Sequence, residues 1–464
     1  MQQIIDIGLA CICQDSFSGD KEKIQKESHE VLEEMGRELN FRVKAYPDLI
    51  KTEAEAARAR SYFAEEQIDF LLVQNTTFAP GFLIEELAEG DYYIGLWGLK
   101  ETVDRGEMPL NSFCGSNMNA SALDKKFGEE FPFKWFYGNT RGRLFLPRFK
   151  TTLAALRGIK SLQKMKVGLV VGTAPGFGNL QFEKNKLQQN LGVDVELIPE
   201  LDSIIKNADD FAEQEIQKNI EEIKDNTEKL EVSEEHLNKT IRYQKAMTQL
   251  VKERQFDCLA LRCWPDTNQQ YGIFPCSAIA KLNESGIAAS CEGDVYGAIA
   301  LKMLQGMAGN VSLLLDLSDL DFTEDMALLW HCGNLPATYA RDVVEERAQF
   351  NNPEFGTAAE GLIKPMRATV INLLDNGQRF FTFEGRFLDH ENISFRGGRG
   401  WFTDFHHPAD GVFKLEDLVN SIFANRLSHH YAVVPGSYSE ALEELAGWMN
   451  LNSMPVARYS NLLQ

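Results

Sequence analysis

Across residues 1–158, short apolar runs alternate with stretches in which apolar residues recur every three or four positions. The segments 4–13 and 70–74 read as strands and 41–46 as extended chain, while 21–38 and 53–66 carry the spacing of amphipathic helices. Strand and helix in alternation predict a parallel sheet with helices on both faces. Asn75-Thr76-Thr77 then falls at the C-terminal end of a strand, where open α/β sheets bind ligands, although the same residues serve equally well as a loop or a helix cap.

A second alternation begins at Lys166-Val167-Gly168-Leu169-Val170-Val171-Gly172, followed by Thr173-Ala174-Pro175-Gly176-Phe177-Gly178. Those glycines lack the Gly-x-Gly-x-x-Gly order of a dinucleotide loop and Pro175 interrupts the turn, so a plain strand-to-helix loop is expected. Residues 208–253 are polar with helical spacing, broken near Val232-Ser233, and predict two long surface helices. Strands at 258–263, 287–290 and 311–315 alternate with helices at 277–284 and 296–307. Beyond Leu320 the pattern changes to strands with polar alternation, such as 368–374 and 379–386, separated by Asn-Gly and Glu-Gly turns, with a last helix near 439–450. The expected fold is α/β: two doubly wound α/β domains, 1–158 and 159–318, followed by a β-rich C-terminal domain, 319–464.

Composition narrows the function classes. The 464 residues are 44% hydrophobic and 25% charged, and no run approaches the ~18 apolar residues of a membrane helix. The N-terminal residues lack the basic-then-apolar order of a signal peptide, so a cytoplasmic protein with no membrane partner is expected. With 47 basic against 68 acidic residues, the net charge of −21 opposes nucleic-acid binding. Eight scattered cysteines fit reduced thiols; Cys11 and Cys13 form a Cys-x-Cys pair with no second pair to complete a zinc site.

Candidate chemistry collects late in the chain. Cys291-Glu292-Gly293-Asp294 directly follows the 287–290 strand, and Asp316 follows the 311–315 strand, so Glu292 and Asp316 are expected at the ends of neighbouring strands, pointing into one cleft. Taken singly, each acid is as readily an N-cap or a solvated loop residue. Six of the eight histidines, at 331, 390, 406, 407, 429 and 430, lie in the last third. Carboxylates with neutral imidazole suit Mn²⁺, Co²⁺, Zn²⁺ or Fe²⁺.

Trp264-Pro265, Phe274-Pro275-Cys276, residues 286–295 around Cys291-Glu292-Gly293-Asp294, the strand ending in Asp316, and His331-Cys332-Gly333 resemble, in order and spacing, the L-fucose/L-arabinose isomerase superfamily. The resemblance is most specific over 263–336 and extends weakly, as a three-domain layout, over the whole chain. It implies a metal-dependent aldose–ketose isomerase of carbohydrate metabolism with Mn²⁺ (or Co²⁺ or Zn²⁺) held by Glu292, Asp316 and His430. Glu292 and Asp316 would act as acid and base on an ene-diol, with Asp294 behind them or capping a helix. His331 matches an extra histidine ligand of the arabinose branch and stands as a fourth ligand or a supporting residue. The resemblance also implies a homo-oligomer with sites near subunit interfaces, in which Trp97 and Asn117 of the first domain act on a neighbouring subunit's site.

Further substrate contacts are expected at Gln269 and at Arg396 and Arg399, the two arginines of the glycine-rich stretch Phe395-Arg396-Gly397-Gly398-Arg399-Gly400-Trp401. Such a turn can hold an anionic group by bidentate hydrogen bonds, and because relatives within the superfamily that the chain resembles isomerise sulfoquinovose, the resemblance implies a sulfonated hexose beside L-fucose and arabinose as substrate; equally, the arginines pair with acids of the chain itself. Rival readings are a non-catalytic sugar-binding protein and a metal-dependent aldolase or hydrolase on the same fold.

Overall fold

The computed structural model describes residues 3–225, 227, 229–342, 344–349, 356–390 and 395–459, which fall into two compact units, Gln3–Arg157 and the chain from Gly158 onward. Among the described residues no helix is long and apolar enough to cross a membrane.

In the first unit, five parallel strands, β1 (Ile5–Ile12), β2 (Phe41–Ala45), β3 (Phe70–Asn75), β4 (Tyr93–Gly98) and β5 (Phe133–Tyr137), lie in the order β2-β1-β3-β4-β5. β1 and β3 are buried along their whole length, which is why their sequences are mostly apolar, broken only by the buried Asp6 in β1 and by Gln74 and Asn75 at the end of β3. The connecting helices begin where local chemistry says they should: Asp20 accepts the Lys23 N–H ahead of Lys21–Leu39, and Thr52 and Glu55 cap Glu53–Glu65 reciprocally.

The second unit joins two sheets. Its strands begin with β6 (Lys166–Val170), β7 (Asp194–Ile198), β8 (Leu230–Glu231), β9 (Cys258–Leu261) and β10 (Ala288–Ser290), of which four form a parallel sheet in the order β10-β9-β6-β7. The polar stretch 208–253 forms Glu213–Asp225 and Glu234–Arg254, after a shorter helix, Asp202–Asp209. The β-rich part follows as β11 (Leu313–Asp321), β12 (Met326–His331), β13 (Glu345–Ala348), β14 (Thr357–Leu362), β15 (Met366–Leu374), β16 (Arg379–Phe387), β17 (Gly398–His407), β18 (Gly411–Val412), β19 (His430–Pro435) and β20 (Asn452–Ser453).

Six of these strands close on themselves. Neighbours in the ring β16-β15-β19-β11-β12-β17 are antiparallel, and β17 pairs back onto β16, so none of the six is left as an open edge within the ring. Alternate residues of all six, including Leu313, Leu329, Val370, Phe383, Phe402 and Val433, meet in one buried cluster. Their neighbours in sequence therefore face outward.

The apolar helix Val295–Ala308 has eleven of its fourteen residues buried, because it packs against β10, β9 and β6 of the parallel sheet and also against β19 and β15 of the closed ring. It is the element that joins the two sheets, and the residues just before it are Glu292 and Asp294.

One expectation needs correction. The strand carrying Asp316 does not end at residue 315 in a sheet shared with the Glu292 strand; β11 continues to Asp321 inside the closed ring. The alternation Leu313, Leu315, Leu317 continues to pack toward the ring's core while β12 pairs alongside, so Asp316 is an outward-facing mid-strand residue.

Candidate functional site

Glu292 is placed by backbone that few residues tolerate. Val171 (φ 68°), Glu292 (φ 59°) and Gly293 (φ 69°) are all left-handed, where the β-branched Val171 and the long Glu292 are unusual. The loop after β10 is held there by the loop after β6 and by the end of β9: Ala174 N–H donates to Glu292 C=O at 2.8 Å, and Gly293 N–H donates to Leu261 C=O at 3.0 Å. The approach is so close that a Cβ on Gly293 would stand 2.2 Å from the Gly172 carbonyl oxygen.

Asp294 sits in the N-cap position of Val295–Ala308, yet its carboxylate takes no capping bond from that helix. It accepts instead from His430 Nδ1, Oδ2 at 2.9 Å, and both side chains are buried to 1% exposure. Room for this carboxylate depends on Gly297, where a Cβ would lie 2.4 Å from Asp294 Oδ2. On the barrel side, Asn372 Nδ2 donates to Ser428 C=O at 3.0 Å and to His430 C=O at 2.7 Å, fixing the entry to β19.

With Nδ1 committed to Asp294, His430 Nε2 points into a knot of donors. Glu292 Oε2 and Asp316 Oδ1 each lie 3.7 Å from it, and Cys291 Sγ lies at 3.6 Å. Asp316 arrives by register, since it is directly opposite His430 across the β11–β19 pair. Asp316 Oδ1 and Asp294 Oδ1 are buried and accept no hydrogen bond among the described residues. Burial works to lower the His430 pKa, but the Asp294 bond and the Asp316 and Glu292 charges outweigh it and raise the imidazole to about 9. Burial raises Asp316 to about 6, against the pull of His430 and His429.

His331, 3% exposed, stands between two sulfurs: Nε2 is 3.1 Å from Cys291 Sγ and Nδ1 is 3.5 Å from Cys332 Sγ. Burial first, and then the charges of His430 and His429, lower its pKa to about 3, so it is a neutral imidazole. The Cys291 thiol is raised by its bond to Cys263 and by burial. Two triads can hold a cation, Cys291–His331–His430 and Glu292–His429–His430, with ligand atoms within 4.8 Å of one another in each.

Toward solvent, the half-buried His429 touches Glu292 Oε2 through Nε2 at 3.0 Å and Asn179 through Nδ1 at 3.2 Å. Phe177 packs beside the His429 ring at 5.4 Å and beside the exposed Trp264 at 6.1 Å, so an aromatic rim lies next to Glu292. Along the outer face of the barrel, His430, Asp316, Trp330 and Arg399 are directly opposed on β19, β11, β12 and β17, forming a row of like-facing side chains. Arg396 is engaged elsewhere, bonding the buried Glu360 and the Ala348 carbonyl. Arg399 donates from Nη1 to Gly397 C=O at 2.8 Å.

No family model matches the chain. It is 26% identical over 392 residues to a sulfoquinovose isomerase of Priestia aryabhattai, an alignment covering 83% of this chain and 85% of the relative. The chain is thus similar to proteins described as sulfoquinovose isomerases. Proteins of the same description from Clostridium sp. (strain MSTE9) and Alkalicoccus urumqiensis are 27% and 23% identical over 393 and 390 residues, each alignment covering 82% of this chain and 85% of the relative. A structural comparison with GanP, a glucose-galactose binding protein from Geobacillus stearothermophilus, spans 66% of this chain and 91% of that one at 12% identity, with a TM-score of 0.16.

Gln269 is exposed on the short helix Asp266–Tyr271. In the first unit, Trp97 is buried, with Nε1 donating to Gly138 C=O at 2.9 Å, while Asn117 is exposed. Asn75, Thr76 and Thr77 are fully buried there and bonded to Ser116, Gln74 and Gln14, which makes them loop-building residues rather than ligand contacts. Cys11 and Cys13 are buried thiols, raised mainly by burial to about 12 and about 11. A cavity of about 330 Å³ bordered by Lys281, Glu284 and Glu346 shares no lining residue with the knot.

Sequence reasoning gave no role to Cys291, Cys332 or the Phe177–Trp264 rim, and of the adjacent His429 and His430 it preferred His430 as the ligand. Cys291 and His429 adjoin residues that were singled out, but nothing in the sequence told which neighbour faces inward. The backbone around Glu292 yields a test: Gly293→Ala places a side chain on a left-handed residue and against Gly172. It is expected to lower unfolding stability by at least about 2 kcal/mol in urea titrations.

Proposed function

We propose that the chain is an aldose–ketose isomerase acting on an anionic, sulfonated hexose of the sulfoquinovose type, with a divalent cation held by Glu292, Asp316 and His430. The observation that carries this reading is the convergence of Glu292 Oε2 and Asp316 Oδ1 on His430 Nε2, each at 3.7 Å, with Asp316 Oδ1 buried and accepting no hydrogen bond among the described residues. Such a set of two carboxylates and one imidazole suits Mn²⁺ as well as Co²⁺ or Zn²⁺. The similarity to proteins described as sulfoquinovose isomerases supports the reaction class and a substrate of this type.

When bound, the cation would polarise the carbonyl of the open-chain sugar and acidify the adjacent C–H, a Lewis-acid contribution of several kcal/mol. Isomerisation then needs one proton moved between C2 and C1 and another between their oxygens. Glu292 and Asp316 reach the centre from two different sheets, so a sugar lying between them meets one carboxylate on each side, as general acid and base on an ene-diol require. His429 fixes the orientation of Glu292 through its 3.0 Å contact, and Asp294 fixes His430. Phe177 and Trp264 offer apolar surface to the C–H face of the sugar and keep water from the Glu292 side.

Arg399 is the residue we assign to the sulfonate. It lies two strands from Asp316 on the same barrel face, about 10 Å away at ordinary strand spacing, which is within reach of the far end of a hexose chelated near Asp316. Arg396 is less suited, because Glu360 already neutralises it.

In a D₂O NMR assay with Mn²⁺, sulfoquinovose is expected to convert to its ketose and incorporate solvent deuterium, and EDTA is expected to stop the reaction. Glu292→Gln should keep the fold and lose roughly 10³-fold in turnover; turnover equal to wild type would remove Glu292 from the chemistry. Arg399→Gln should raise the KM for the sulfonated sugar about tenfold or more while leaving conversion of its uncharged 6-deoxy counterpart unchanged, measured in the same assay.

A further inference from the structure

The donor knot contains more than the three ligands assigned above. Cys291 Sγ lies 3.1 Å from His331 Nε2 and 3.6 Å from His430 Nε2, and the three residues are 4%, 3% and 3% exposed. At about 2.3 Å for a metal–sulfur bond and about 2.0 Å for metal–nitrogen, a tetrahedral centre needs sulfur and nitrogen about 3.5 Å apart. The observed separations bracket that value.

The partners of each imidazole decide which nitrogens are available. His430 Nδ1 donates to Asp294 at 2.9 Å, and His331 Nδ1 faces Cys332 Sγ at 3.5 Å, so each ring has its Nδ1 engaged and turns Nε2 toward Cys291. Two imidazoles oriented in this way on one sulfur are a soft donor set, distinct in chemistry from the carboxylates of Glu292 and Asp316.

We infer that this pocket holds a thiophilic dication such as Co²⁺ or Zn²⁺ through Cys291, His331 and His430, a binding mode displaced from the one that uses Glu292 and Asp316. The inference rests on the reading of the knot as a metal centre, but not on any sugar being converted. Binding replaces the Cys291 S–H bond with a metal–sulfur bond and the His430 Nε2–H bond with a metal–nitrogen bond, releasing both protons to solvent with no change in oxidation state. His430 belongs to both sets, so a cation drawn to the sulfur and one drawn to the carboxylates compete for one imidazole. Metal identity would then select the geometry: an oxygen-seeking ion such as Mn²⁺ is held at the carboxylates, and a softer one is held at the thiolate.

The test is a Co²⁺ titration of metal-free full-length protein followed by near-ultraviolet and visible absorption, with Mn²⁺ binding measured separately by electron paramagnetic resonance. Wild type is expected to give a sulfur-to-cobalt charge-transfer band that saturates at one ion per chain. Cys291→Ser should lose that band and retain Mn²⁺ affinity within about threefold, and His331→Gln should weaken the band without touching the sulfur. Glu292→Gln should do the reverse, keeping the band and losing Mn²⁺. Cobalt bound without the band, or a band unchanged in Cys291→Ser because Cys263 or Cys332 supplies the sulfur, would overturn the inference and leave the carboxylate site standing. Failure of wild type to bind either ion would overturn both.

Discussion

Asp294 and His430 meet at 2.9 Å with both side chains all but sealed from solvent. A charged pair in that position is tolerable only while both partners are present, since removing one typically costs roughly 3–5 kcal/mol through the charge left behind. The pair ties the parallel sheet to the closed barrel: Asp294 precedes the helix buried between them, and His430 opens β19. It also commits Nδ1 of the imidazole, which is what turns Nε2 toward Glu292, Asp316 and Cys291.

Around that contact the fold concentrates local cost. Val171, Glu292 and Gly293 occupy left-handed backbone, Gly293 has no room for a Cβ, and Gly297 leaves space for the carboxylate that a helical alanine would fill. Strain of this kind persists only where the surroundings over-determine it, and here the crossed bonds from Ala174 N–H and Gly293 N–H supply the determination. The barrel contributes rigidity of another kind. Its closed antiparallel ring fixes register, and register alone sets His430, Asp316, Trp330 and Arg399 side by side on the outer face.

Much of this architecture was legible in the residues. Continuous apolar runs such as 70–73 mark strands buried on both faces, and the change to alternating strands after Leu320 marks the barrel wall, because both patterns are direct consequences of which faces meet water. Glu292, Asp316 and His430 could be named from a motif and its resemblance to a known superfamily. What the residues did not reveal was set by pairing at long range. β11 was expected to stop before Asp316 because a polar residue after an apolar run looks like a strand end; in a barrel it is simply an outward position. Asp294 looked like a helix cap, and the His430 that claims its carboxylate is 136 residues away. Arg396 looked available to a ligand until β14 brought the buried Glu360 against it. Cys291 drew no notice as a ligand, since a lone buried thiol is ordinary and the two imidazoles beside it come from separate strands.

The account turns on whether His430 Nε2 meets a cation shared with Glu292 and Asp316. Pulsed electron paramagnetic resonance of the Mn²⁺-loaded protein, compared with His430→Gln, addresses that directly. The account predicts hyperfine coupling to an imidazole nitrogen in the wild type that is diminished in the variant together with metal affinity. Bound Mn²⁺ with oxygen ligands alone, or the same nitrogen signal in both proteins, would contradict it.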